Sequence, residues 1–406
     1  MDLQLKNQLH FLKQLTDISS TTKDPIGVNR VQAVLTKKLQ SLGFKVSLIK
    51  NKQKQSGDAL VAFYQGQTNE CITLVGHADT VGRLSENFQF HMDSYEDRVT
   101  GPGIADDKGG LVVALSAIET FLKTNPCPKY SLIFVSSPNE EEGSIGFHEL
   151  FRSIGKKTKY ALGMEPALQN GSIINSRNGN RWYRLNLKGI ASHAGRFGES
   201  HLNAAHEMAI KIAKIHRLNN EEEKIRVNIG SFHGGNGTFN TICDNAEVLI
   251  DMRFPCFLKR EKVSHQLLQI FMQHELSCPK TNEQVKMSYQ IEDDCPPLNY
   301  NSDHHVLIEK YLSLINRLED QPVRAEHSGG ASDINYFSTP ENFVLDGLGP
   351  MGGRLHTKKE YLVMSSLLTR TNALNQFLTH INFNRQEQIF QQSFETSQEV
   401  MEELFA

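Results

Sequence analysis

Acidic and imidazole side chains recur in this sequence directly after short apolar runs, a placement that serves either solvent or a bound cation. The run "CITLVG" ends on His77 and Asp79, two residues apart in "GHADTV". Taken alone, such a pair is ordinarily a hydrogen-bonded structural pair. Three more segments repeat the arrangement. "GPGIADDKGG" carries Asp106 and Asp107, "YSLIFVS" leads into "SPNEEEGS" with Glu140, Glu141 and Glu142, and "YALG" leads into Glu165. In open α/β sheets the site lies at the carboxyl ends of the strands, so these loops are expected to share one edge. Acidic loops gathered there repel one another, and a bound cation is the natural counter-charge. The plainer reading is a set of solvated loop acids. Glycines Gly101, Gly103, Gly109, Gly110, Gly143 and Gly146 lean against it, because they fit backbone drawn close to something or forced to positive φ. A phosphate loop is excluded: Asp106 stands where a dinucleotide fingerprint needs its third glycine, and Lys108 is followed by Gly109 rather than Ser or Thr.

The elements that must carry these residues alternate. An amphipathic helix opens the chain, and a second starts at Asp24-Pro25, with Val28, Val31, Leu35, Leu39 and Leu42 as one stripe and Gly43 as its stop. Strands "KVSLIK", "ALVAFY" and "CITLVG" precede a helix from about Gly110 to Leu122; the strand "YSLIFVS", a short helix near 147–154 and the strand "YALG" follow. Strands alternating with helices predict an α/β sheet covered on both faces. Near Gly179 the pattern changes to strand, helix, two strands, helix, strand. That β-α-β-β-α-β order is a split ferredoxin-like unit, complete in itself. The expected organisation is a first catalytic part over residues 1–178, an inserted domain over 179–291, a second catalytic part over 292–381 and a glutamine- and glutamate-rich tail over 382–406.

Bulk properties exclude several classes. The chain has 406 residues and a net charge of −3, so no nucleic-acid or membrane footprint is visible. No apolar run approaches the roughly 18 residues of a membrane span. The N-terminus does not read as a signal peptide, and six scattered cysteines without a C-x-x-C pair predict a reduced, cytoplasmic-type protein.

Six motifs in order, "GHADTV", "GPGIADDKGG", "NEEEGS", "EP", "ASHAG" and "LHTKKEYL", resemble those of the di-zinc aminoacylase/carboxypeptidase metallohydrolases, the family of glutamate carboxypeptidase, acetylornithine deacetylase and succinyl-diaminopimelate desuccinylase. The resemblance implies a zinc-peptidase-like catalytic domain with the inserted domain as lid and dimerisation unit. It implies two Zn²⁺ per subunit (Co²⁺ or Mn²⁺ as alternatives), with His77, Asp106 and Glu165 on one ion, Asp106, Glu141 and His356 on the other, and Asp106 as the bridge. Imidazole and carboxylate suit zinc. Asp79 would orient His77, Glu140 would be general base to a zinc-activated water, and a cis peptide would follow Asp106. From the lid, His193 would reach the reacting carbonyl, often across a dimer, while Arg253 and Asn240 would hold substrate polar groups. Gly329 and Gly330, expected on the large domain, would form a glycine loop at the substrate's other side.

One departure stands out. Glutamate-releasing members carry an arginine before the proline at the return to the large domain, where this chain has Cys295 before Pro296. The resulting expectation is a carboxypeptidase-type peptidase acting on small peptides, the simplest of three readings that the residues leave open. The others are an N-acyl-amino-acid deacylase and a non-catalytic binding protein on the same fold.

Overall fold

Four parallel strands form the centre of the first sheet, in the order Ser131–Ser137, Cys71–His77, Thr158–Gly163 and Phe343–Leu345. Two antiparallel strands, Ala59–Tyr64 and Lys45–Ile49, extend it on the Ser131–Ser137 side. Cys71–His77 and Ser131–Ser137 are buried at every residue, as expected of strands covered on both faces. These features come from a computed structural model that describes residues 2–51, 56–85, 87–196, 199–319 and 321–383. The expected tail therefore lies outside the described residues, apart from its first two positions.

The helices follow their sequence signals. In Pro25–Ser41, Asp24 caps the start by accepting the Gly27 N–H at 3.0 Å, and Val28, Val31, Leu35 and Leu39 are buried. Lys108–Thr124 is apolar almost all round and buried accordingly; it packs on Met364–Asn382. A smaller sheet of short strands was not foreseen. It runs Gly352–Gly353, Tyr361–Val363, Arg98–Thr100 and His91–Asp93. Its strands are two or three residues long, too short to show a period.

The chain divides into two units: the described residues of Met1–Ile174, Ser302–Ala325 and Phe337–Ala406, and those of Asn175–Asn301 and Glu326–Tyr336. In the second, strands Arg226–Gly234, Asn245–Phe254, Gly179–Lys188 and Lys286–Cys295 form an antiparallel sheet in that order. Helices Ala204–His216 and Phe257–Met272 pack on one face. Along Asn245–Phe254 the residues alternate between buried and partly exposed, the period-2 pattern of a sheet with one covered face.

The observed boundaries differ from the expected 178/179 and 291/292. Strand Lys286–Cys295 stays paired as far as Cys295, opposite Asn180, through a register shift between Ile291 and Asp293, and Leu298 exchanges backbone hydrogen bonds with Arg177. Residues 292–301 thus remain with the second unit. Segment 326–336 joins them: Asn335 donates to the carbonyls of Asn178 and Pro296, and Tyr336 donates to Asp293 at 3.2 Å. Gly329 and Gly330, expected on the large domain, therefore belong to the second unit.

Candidate metal centre

All the candidate ligand positions lie in the first unit: His77, Glu141 and Glu165 at or just past the carboxyl ends of its parallel strands, and Asp106 and His356 in loops that adjoin strands of the small sheet. His77 is the last residue of its strand and is 1% exposed. Its Nε2 stands 3.1 Å from Asp106 Oδ1 and 3.8 Å from Glu165 Oε1. The other Asp106 oxygen, Oδ2, lies 3.1 Å from His356 Nε2, which is also 3.1 Å from Glu141 Oε2. Asp106 thus faces two imidazoles with its two oxygens. Ligand atoms of His77, Glu140 and Glu165, and of His77, Asp106 and Glu141, lie within 4.8 Å of one another.

The backbone that presents these groups is tightly specified. The peptide between Asp106 and Asp107 is cis. Asp107 is fully buried, and its Oδ2 accepts the His77 N–H at 3.2 Å. A Cβ on Gly110 would stand 2.0 Å from both Asp107 Oδ1 and Met164 O, so only glycine fits there. Gly103, at φ +66, supplies a left-handed turn just before Asp106.

Asp79 does more than its spacing indicates. His77 Nδ1 is 3.0 Å from the Asp79 backbone carbonyl and 3.3 Å from its Oδ1. The buried carboxylate also accepts the N–H groups of Glu140 and Glu141, at 3.0 and 3.2 Å, and the Thr22 hydroxyl at 2.7 Å. It therefore positions the turn that carries both glutamates.

Electrostatics mark the same cluster. Burial opposes a charge on His77, but hydrogen bonds to Asp106 and Asp79 raise its pKa well above the ordinary imidazole value. Hydrogen bonds that His356 donates to Asp106 and Glu141 raise its pKa to about 10. Burial raises the Glu141 carboxyl, and its Oε1 is buried without a hydrogen-bond partner. Buried carboxylates in excess, one with an orphaned oxygen, and imidazoles drawn toward positive charge fit a multivalent cation. The donor set of two imidazoles and several carboxylates suits zinc or a similar ion.

Three supporting residues escaped the sequence reading. Thr22 is one. Glu360 is buried and accepts the N–H groups of Gly103, Ala105 and Asp106 at 3.1, 2.9 and 3.1 Å. Burial and then Asp106 push its carboxyl up to about 7, against the pull of those donors. Lys108 is buried and donates to Ile18 O at 2.9 Å; burial lowers its pKa to about 7. Glu360 was visible in "LHTKKEYL", but nothing in its spacing distinguished it from the neighbouring surface charges.

The remaining candidates lie in the second unit, in two groups. His193 bridges Thr241, and Ala194 N–H donates to Asn240 O at 2.8 Å. Both lie beyond Lys188, the end of the sheet where Asn245 pairs. Arg253 sits near the other end, opposite Asn180, and its Nε donates to Asp251 at 2.9 Å. The Gly329–Gly330 loop is at that end too: Asn178 N–H donates to Ser328 O, and Arg177 donates to Gly330 O at 3.0 Å. Eight residue steps separate Asn180 from Lys188, roughly 26 Å at about 3.3 Å per step. One copy of the unit does not bring Arg253 and Asn240 together.

Comparisons with known proteins identify the family. Residues 73–380 match the model of peptidase family M20/M25/M40. Carboxypeptidase G2 of Pseudomonas sp. (strain RS-16) is 27% identical over 365 residues, 88% of this chain and 85% of the relative. Succinyl-diaminopimelate desuccinylase of Ruthia magnifica subsp. Calyptogena magnifica is 22% identical, covering 89% of this chain and 96% of the relative. The fold is that of aminopeptidase PepT from Bacillus cereus, with a TM-score of 0.72 and 21% identity over 92% of this chain and 99% of that one. The family match spans well over half of the sequence and contains every candidate ligand, so the chain belongs to peptidase family M20/M25/M40 and is a metallohydrolase of its peptidase or aminoacylase type.

Proposed function

We propose that this protein hydrolyses amide bonds next to a free carboxylate, as a carboxypeptidase-type peptidase of small substrates. The observation that carries the reading is the cluster at the strand ends, where Asp106 faces both His77 and His356 and Glu140 stands against His77 and Glu165. His77, Asp106 and Glu165 would hold one zinc, and Asp106, Glu141 and His356 a second. When bound, the metal pair supplies Lewis-acid polarisation of the scissile carbonyl and an acidified water. Glu140 accepts the water proton on its carboxylate and later gives it to the departing amine. Asp79 keeps Glu140 in place through the backbone. Arg253 suits a substrate carboxylate by its two-pronged donor geometry, with Asn240 and the Gly329–Gly330 loop as further polar contacts.

The second unit, with strand order matching a ferredoxin-like fold, is proposed as lid and dimerisation domain. Two features support a homodimer. Arg253 and the glycine loop lie at one end of the sheet while His193 and Asn240 lie at the other, so a second copy is needed to pool them. Strand Arg226–Gly234 is also an edge of its sheet, and it carries the half-exposed Phe232. His193 would then donate a hydrogen bond to the carbonyl oxygen of a substrate held by the partner, as negative charge develops there. Scattered cysteines support a cytoplasmic location, and no helix among the described residues is long and apolar enough to cross a membrane.

A second reading, N-acyl-amino-acid deacylase, is favoured by the desuccinylase relatives. Product analysis of zinc-loaded protein on matched dipeptide and N-acyl-amino-acid panels decides between them. Faster release of the C-terminal residue from dipeptides upholds the peptidase, faster deacylation supports the alternative, and no metal-dependent cleavage of either overturns both.

A further inference from the structure

Outside the metal centre, the first unit carries a cavity of about 520 Å³ over its small four-stranded sheet. Its lining is rich in cations: Arg98, Arg354, Lys358 and Lys359, beside His91 and Tyr361. Two carboxylates also face it, and both are engaged. Glu96 pairs with Arg98 at 3.0 Å, and Asp93 accepts the N–H groups of Tyr95 and Glu96. Arg98 is further occupied over the Tyr361 ring, 4.5 Å from its centroid. Arg354, Lys358 and Lys359 have no carboxylate partner among the described residues. Asp93 keeps its negative charge, so these three exposed cations leave the cavity net positive, and an anion placed among them relieves their mutual repulsion.

The loop ties this cavity to the metal centre. Arg354 and His356 both have left-handed backbone, at φ +55 and +61, a conformation uncommon outside glycine. His356 thereby faces Asp106 and Glu141, while Arg354 and Lys358, two residues to either side, line the cavity. We propose that this cleft binds an anionic group, a carboxylate or phosphate, beside the metal centre. Arg354 offers the two-pronged contact and the lysines compact charges. The group is either the acidic arm of a substrate or a free anion; the substrate source rests on the hydrolase reading above, and anion binding itself does not.

The test is calorimetric titration of inorganic phosphate into metal-loaded protein, compared among wild type, Lys358→Gln/Lys359→Gln and Arg354→Asn. Asparagine is chosen because it tolerates left-handed backbone. Both variants should keep their metal and lose a phosphate-binding event, with affinity falling roughly tenfold or more, the scale of one charge-assisted hydrogen bond. Phosphate bound directly to metal would persist in all three proteins. Matched dipeptides bearing Glu or Gln then assign the source. If kcat/KM falls in the variants only for the acidic peptides, the anion is the substrate's arm. If the acidic preference is unchanged although phosphate binding is lost, the anion is a free one. Equal phosphate binding by wild type and both variants overturns the site, whether or not the protein hydrolyses amides.

Discussion

Thr22 donates its hydroxyl to Asp79, and Asp79 accepts the backbone N–H groups of Glu140 and Glu141. This relay reaches the proposed base from outside the cluster, so Thr22 is a positioning residue. Thr22→Val keeps the shape and removes the donor. It should lower kcat roughly tenfold, about the worth of one hydrogen bond to a charged group, with bound metal unchanged and Thr22→Ser restoring the rate. Equal activity of the valine variant would show that Asp79 holds the turn unaided. The imidazoles make a second prediction. In the metal-free protein His356 has its pKa raised to about 10 by Asp106 and Glu141, so at neutral pH it carries a proton that a metal must displace. Apparent zinc affinity should therefore rise with pH between 6 and 8, by about tenfold per unit for each proton displaced. A flat profile in direct titrations would exclude His356 as a ligand.

At the scale of elements, the parallel strands and the loops at their carboxyl ends were legible because both signals are local. An apolar run followed by His77, or by Glu140 and Glu141, shows in a few residues. Asp106 and His356, 250 positions apart, could be joined only through the family resemblance; the fold makes that pairing with a 3.1 Å contact. Glu360 was illegible for a physical reason: its three backbone donors come from a loop more than 250 residues earlier. It clamps the loop of Asp106 to the segment that follows His356. The unit boundary was misplaced because segment 326–336 is attached by side chains such as Asn335 and Tyr336, which leave no periodic trace. Glu360→Gln replaces one acceptor oxygen with a donor facing backbone N–H groups. Zinc affinity should fall about 10- to 100-fold, as for other outer supports of metal ligands, and Tm should fall. Competition titration against a chelator reads the first effect, and unchanged affinity would leave Glu360 as packing alone.

At the scale of the whole molecule, the proposed dimer and the proposed chemistry can be tested together. His193 and Asn240 lie at one end of the second unit's sheet, Arg253 and the Gly329–Gly330 loop at the other. Mixing inactive His193→Ala with inactive Glu140→Gln protein should recover part of the activity, because a mixed dimer contains one site with neither defect. Proven exchange without recovery would mean that His193 does not act across the dimer. Bound metal and turnover in Glu140→Gln, side by side with wild type after zinc loading, test the role of Glu140 at the metal centre. Both proteins should bind about two metal ions per chain, with kcat of the variant lower by roughly 10²–10⁴-fold. Near-normal turnover, or loss of metal along with activity, would contradict Glu140 as the base.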